Sequence, residues 1–140
     1  MNTIAPADLS ALKRVIAELE AAWNAGDGAR FSGPFALDGD QINIFGAHLE
    51  NRSEIASRHD FIFKTIFLGS RSSLRLVEAR HVTSEVILAR VHSTVEIPRG
   101  PLQGMLETLG SLVFRKTRVG WELVTFHNTQ IAPDACAEPH

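Results

Sequence analysis

The stretch that decides the fold is Ser111-Leu112-Val113-Phe114-Arg115-Lys116-Thr117-Arg118-Val119-Gly120-Trp121-Glu122-Leu123-Val124-Thr125-Phe126-His127-Asn128-Thr129. Aliphatic, aromatic and β-branched residues crowd both sides of Val119-Gly120. This predicts two strands, over 111–118 and 121–131, joined by a tight turn. Upstream, 85–97 is rich in Val, Ile and Thr and reads as a strand, and 74–82 reads as another. Between 85–97 and 111–118, the segment 98–110 holds Pro98, Gly100, Pro101 and Gly104 and reads as a loop with one helical turn around Leu106. The second half of the chain is therefore a run of strands.

The first half has a different period. Leu9, Leu12, Ile16, Leu19 and Trp23 recur every three or four residues and predict a helix over 7–25, with Pro6 in its first turn and Gly26 as its stop. Asp27 is placed to cap a short second helix carrying Phe31 and Phe35, which Gly33-Pro34 shortens or bends. In 41–45, Ile42 and Ile44 alternate with Asn43 and Phe45 as in a short strand, and 46–50 is a turn. Asn51 with Glu54 three residues on approximates a capping box. It opens a long helix whose inner stripe is Ile55, His59, Ile62 and Ile66, flanked by Phe63, and which 69–73 stops. Helices first and strands after argue an α+β fold, with helices covering one face of an antiparallel sheet.

The composition bounds the function. The chain has 140 residues, the length of one domain, 44% hydrophobic and 21% charged, with a net charge of -2. That balance excludes a broad basic surface for nucleic acid and a polybasic membrane anchor. No apolar run approaches the roughly 18 residues of a membrane span. The start lacks the charged-then-apolar order of a secretory signal, so the expected compartment is the cytoplasm. A lone cysteine, Cys136, forms neither an internal disulfide nor a thiolate cluster. No phosphate-cradling glycine motif, HExxH or GxSxG is present, and the six histidines are scattered at 48, 59, 81, 92, 127 and 140. No cofactor and no metal is expected. The tail, 132–140, has two prolines and no periodicity and is expected to be flexible, which leaves an ordered core of about 7–131.

Three motifs fall in a telling order: Trp23-Asn24-Ala25-Gly26-Asp27 closing the first helix, Gly46 through Asn51-Arg52-Ser53-Glu54-Ile55 to His59, and Gly120-Trp121 through His127-Asn128-Thr129. With them the chain resembles the nuclear transport factor 2-like superfamily, in particular its SnoaL-like members of the SgcJ/EcaC type, from about Asp8 to Ile131. The turn Arg118-Val119-Gly120 departs from the acidic and glycine-rich turn usual in those relatives. The resemblance implies a single SnoaL-like domain over 1–140, cystatin-like and conical. A curved antiparallel sheet wraps a long helix, the N-terminal helices close the cone, and its open end is a pocket. Members include isomerases, polyketide cyclases, dehydratases and non-catalytic domains, so the fold does not give the function.

His59 is the leading candidate for a catalytic role, because it places a titratable imidazole between Ile55 and Ile62 where an apolar residue is expected. The competing reading is a core histidine bonded to a backbone carbonyl. Asp60 lies about 100° away around the helix and cannot orient it. Asp40 can approach from another element, although Asp38-Gly39-Asp40 reads as turn chemistry. Asn128 shares a strand face with Phe126 and Val124, and His127 shares the other with Thr125 and Thr129. In the calcium/calmodulin-dependent kinase association domain, which this hairpin resembles, the residue matching Asn128 points into the cavity. That puts Asn128 inside and His127 on the outer face, where dimers of the superfamily pack.

Trp23, Phe35, Phe45, Phe63, Phe114 and Phe126 are the expected apolar wall of the pocket, with core packing as the alternative for each ring. Met105, in the expected loop, would cover the mouth. Ile87, Ala89, Val91 and Val95 form the cleaner core face of their strand, which puts Arg90 and His92 outside unless a bulge intervenes. The eight phenylalanines and the absence of tyrosine describe a greasy site without a phenolic donor. Ile44 and Phe45 stand where a ketosteroid isomerase has its aspartate base, so that chemistry is not expected. The expected function is binding of a small apolar molecule, carbonyl-bearing or polyketide-like, with acid–base chemistry open. The alternative is a non-catalytic ligand-binding domain, or a homodimeric assembly domain joined through the outer sheet face.

Overall fold

Helix α1 (Pro6–Ala25) buries Leu12, Ile16 and Leu19 of the expected stripe together with Ala22, while Leu9 and Trp23 are partly buried. It ends at Gly26, whose φ of 66° is left-handed and is reached without strain only by glycine. A computed structural model of the protein describes residues 4–132. Of the expected flexible tail, 133–140, with Cys136, lies outside the described residues. Asp27 caps α2 (Gly28–Ser32) by accepting from Arg30 N at 3.0 Å. Gly28 sits where a Cβ would come within 2.3 Å of the Ala56 carbonyl, so α2 lies directly against the third helix. Asp60 Oδ1 accepts the Gly28 N–H at 2.8 Å and fixes that approach.

Strand β1 (Phe35–Ile42) is followed by β2 (His48–Leu49), then α3 (Arg52–Lys64). Asn51 caps α3 by accepting from Glu54 N at 2.9 Å, while the Glu54 carboxylate accepts from Glu50 N at 3.1 Å. Four long strands complete the chain: β3 (Arg71–Thr83), β4 (Val86–Ile97), β5 (Gly104–Thr117) and β6 (Gly120–Gln130). They form one curved six-stranded sheet in the order β2-β1-β6-β5-β4-β3, open at both edges. Two apolar clusters fill the space between sheet and helices, and Trp23 packs against both.

Several expectations change here. The sheet is mixed rather than antiparallel, because β1 pairs with β6 in parallel. Phe35 starts β1 instead of riding on the second helix, and β1 ends at Ile42, leaving Phe45 in the following turn. A register break between Phe35 and Asp40 erases the period-two alternation that would have marked the strand. α3 stops at Lys64, so Ile66 lies past its end. β5 begins at Gly104, seven residues before the expected strand, because only 98–103 is loop. A second break, between Val113 and Phe114, falls opposite Val124, so Leu123 and Phe126 are both buried and Val124 does not share the face of Phe126.

The first-helix motif is explained by the edge strand. β4 occupies one side of β3, and α1 covers the other. Asn24 accepts from Ser72 N at 2.7 Å and donates to Ser72 O at 3.0 Å, and Glu20 accepts from Leu74 N at 2.7 Å. These side chains satisfy the edge groups of β3 at Ser72 and Leu74, which would otherwise be open to pairing with another strand. At the other end of α1, Trp121 Nε1 donates to Asp8 at 3.1 Å. No helix of the described residues is long and apolar enough to cross a membrane.

Candidate functional site

Between α3, the β1–β2 turn and the inner face of the sheet lies a cavity of about 310 Å³. That is the volume of about ten waters at liquid density. Its apolar wall combines Trp23, Phe31, Phe67, Leu106 and Phe126, with Ile62 and Ile66 on the helical side. Phe45 and Phe61 border it too, and both remain more than half exposed, as expected of a rim. Arg58 stands beside them as the one charged residue of the lining and forms no ion pair among the described residues.

His59 is buried and borders this cavity. Its ring stacks on Phe31, with centroids 4.2 Å apart, and meets Trp23 and Phe63 edge-on. Nδ1 lies 2.7 Å from the Ile55 carbonyl one turn back, so it carries the proton and donates. Nε2 is then the lone-pair nitrogen. Burial in this apolar cage lowers the pKa from 6.5 to about 4, against the opposing effect of the Ile55 bond, and Arg58 lowers it further. The ring is neutral at pH 7. Asp60 faces α2, as its bond to Gly28 shows, and does not orient it.

Asp40 serves neither as a partner of His59 nor in a turn. It is a strand residue whose Oδ2 lies 2.7 Å from His48 Nε2, on the sheet face opposite Gln41. Burial raises its pKa, but the hydrogen bonds from Thr125 and His48, with the His48 charge, outweigh this and hold it below the usual value.

Of the expected wall, Trp23, Phe45, Phe126 and Asn128 border the cavity with His59. Phe35 and Phe114 are fully buried in the larger apolar cluster and do not reach it. Phe63 is packed edge-on against Trp23, 4.9 Å between centroids, and also stays outside the lining. Met105 lies on β5, is 63% exposed and does not cover the mouth; its neighbour Leu106 faces in. Strand alternation separates the two. Arg90 and His92 do lie on the outer face, opposite Ala89 and Val91, which are buried. The Trp23 indole N–H is already used, donating to Ser70 Oγ at 2.9 Å.

The polar part of the lining was not legible in the sequence beyond His59 and Asn128. Gln41 on β1, Asn128 on β6, Thr108 on β5 and Ser93 on β4 all border the cavity and form a stripe across four successive strands. Ser93 and Thr108 hydrogen-bond each other through their hydroxyls. Gln41 is buried, and its Oε1 has no hydrogen-bond partner. Gly110, paired with Asn128, leaves the space that the stripe needs: a Cβ there would stand 2.7 Å from the Phe126 ring and 3.3 Å from Asn128 Oδ1. A glycine inside a strand was the available signal for this close approach. Among the described residues, no group of three His, Cys, Asp or Glu side chains is placed to hold a metal ion.

A curved sheet closed over a pocket by helices defines a class of small pocketed α+β domains, and solved structures share it. A domain of unknown function with a cystatin-like fold from Nostoc punctiforme PCC 73102 is 30% identical. The match covers 93% of this chain and 81% of that one, with a TM-score of 0.84. An uncharacterised protein with a cystatin-like fold from Caulobacter vibrioides is 28% identical over 94% of each chain, with a TM-score of 0.82. A ketosteroid isomerase-like protein from Erwinia carotovora atroseptica SCRI1043 shares the fold at 14% identity, with a TM-score of 0.75 over 92% of this chain and 100% of that one. No protein-family model matches the chain, and no curated protein does. The chain has the cystatin-like fold and resembles the nuclear transport factor 2-like superfamily.

Proposed function

We propose that this protein is a SnoaL-like pocket protein of the SgcJ/EcaC type that binds a small, mainly apolar molecule, carbonyl-bearing or polyketide-like in character. The observation that carries this reading is the aromatic-walled cavity, with a neutral histidine and a few uncharged polar groups converging on it. Pockets of that composition hold ligands by apolar burial and orient them with sparse polar contacts. Reversible binding is favoured over turnover, because a histidine titrating at about 4 is a weak general base at neutral pH. Acid–base chemistry is retained as the second reading, since the His59 ring borders the cavity. Unchanged turnover in His59→Gln on any substrate found for the protein would remove it.

Naphthalene is a suitable probe, an uncharged ring compound small enough to enter the cavity. Calorimetric titration is expected to show binding by the wild type. Ile62→Trp, which pushes an indole into the cavity from α3, is expected to weaken it at least tenfold while the protein stays folded. No wild-type binding, or binding indifferent to Ile62→Trp, contradicts the proposal.

A homodimer through the outer sheet face is proposed alongside. That face carries Leu109, 41% exposed, the His92–Glu107 pair at 3.0 Å, and Arg90, whose Nη1 is buried without a partner. A monomer by light scattering at micromolar concentration would sink this part.

A further inference from the structure

Gln41 is the residue whose placement the apolar reading of the pocket leaves unexplained. It is 3% exposed, borders the cavity, and its Oε1 has no partner. Buried polar groups in folded proteins are nearly always bonded, and one left alone bears the full cost of desolvation. An apolar side chain of similar size would avoid that cost. The retained amide therefore points to a partner that arrives from outside the chain.

The surrounding chemistry narrows what that partner carries. His59 Nδ1 donates to Ile55, so its Nε2 is a second acceptor on the cavity wall. Ser93 and Thr108 bond each other, which uses one of their two hydroxyl protons. The Trp23 N–H is held by Ser70. The wall thus presents two acceptors that the chain leaves unfilled, Gln41 Oε1 and His59 Nε2, beside the amide donors of Gln41 and Asn128. A ligand carbonyl, which only accepts, leaves both acceptors empty. A carboxylate would meet no cation at this polar stripe, since Arg58 is at the rim among exposed side chains, and burying an unpaired charge is far more costly. A hydroxyl supplies the missing donor and still accepts from the amide of Asn128 or Gln41. Rotation of the Gln41 amide about its last torsion presents either of its ends to the cavity.

We infer that the ligand is a neutral ring compound bearing a hydroxyl group, an alcohol or a phenol, and that Gln41 is the residue selecting for it. This rests on the pocket reading above and adds the ligand class to it.

The experiment compares naphthol, its methyl ether and naphthalene as calorimetric probes of the wild type, Gln41→Leu and Gln41→Met. The wild type is expected to bind naphthol about tenfold more tightly than the ether, the worth of one well-made hydrogen bond in a buried site. Gln41→Leu is expected to lose that preference, keep its affinity for the ether and naphthalene, and melt no lower than the wild type. Gln41→Met serves the same purpose should leucine not fold. Equal wild-type affinity for naphthol and the ether overturns the inference, as does a preference that survives in a folded Gln41 variant. Both results leave the pocket reading standing, provided that naphthalene binds. If none of the three probes binds, the pocket reading fails and this inference fails with it.

Discussion

Trp23→Ala is expected to lower the free energy of unfolding by about 4 kcal/mol, measured by urea denaturation. The indole touches both apolar clusters and meets Phe31, His59, Phe63 and Phe67 edge-on, at centroid distances of 4.9 to 6.2 Å. Truncation removes that packing, opens a void beside the existing cavity, and strands the Ser70 hydroxyl that accepts the indole N–H. Trp23→Phe keeps most of the ring and loses the hydrogen bond, for an expected loss of about 1–2 kcal/mol. A loss below about 1 kcal/mol for Trp23→Ala would mean that α1 is held by its edge contacts to β3 rather than by this ring.

The second large effect is a pH dependence that originates at His59. Its pKa falls from 6.5 to about 4 on folding. Between those values the unfolded chain binds the extra proton and the folded protein does not, so acid favours unfolding. The stabilisation is fully present above about pH 6.5, is lost as pH falls, and levels off below about 4. Over that window the loss amounts to about 3 kcal/mol. The His48–Asp40 pair acts in part the other way, because the Asp40 hydrogen bond raises the His48 pKa and so favours the folded state at low pH. The difference between wild type and His59→Phe removes that common background. Over pH 7 to 4 the wild type is expected to lose about 3 kcal/mol relative to the variant, whose curve is the flatter of the two. Parallel curves would show that His59 binds its proton equally in the folded and unfolded states, against the lowered pKa.

How much of this was legible in the sequence depends on the range of the interaction that decides each feature. The α1 stripe, its glycine stop, the Asp27 cap and the Asn51 cap are local and form where their spacing predicts, although the Glu54 carboxylate reaches the Glu50 N–H rather than that of Asn51. So is the inward face of β4, where Ile87, Ala89 and Val91 alternate cleanly. The parallel pairing of β1 with β6 joins residues more than eighty positions apart and leaves no local trace. The break in β1 spans Phe35 to Asp40 and that in β6 falls at Val124, so Leu37, exposed, and Val124 sit on other faces than the simple period assigns. Met105 and Leu106 were read as loop because four prolines and glycines precede them, although the chain is extended from Gly104 onward. Gln41 shows the same limit at the site: its inward direction depends on where β1 begins, which the irregularity hides.

The Asn24 contacts are the clearest gain. Trp23-Asn24-Ala25-Gly26-Asp27 reads as a helix ending, but each polar member holds a different element. Asn24 clips β3, Gly26 turns the chain, and Asp27 starts α2. Together with the Gly28 contact to α3, they set the distance between Trp23 and His59 and hence the width of the cavity.

The most direct measurement is a crystal structure of the protein soaked in naphthol. The account predicts one ordered molecule inside the cavity, its ring between Phe31 and Phe126 and its hydroxyl at Gln41, within reach of His59 or Asn128. An empty cavity at saturating naphthol, or a molecule ordered only on the outer sheet face, would contradict it.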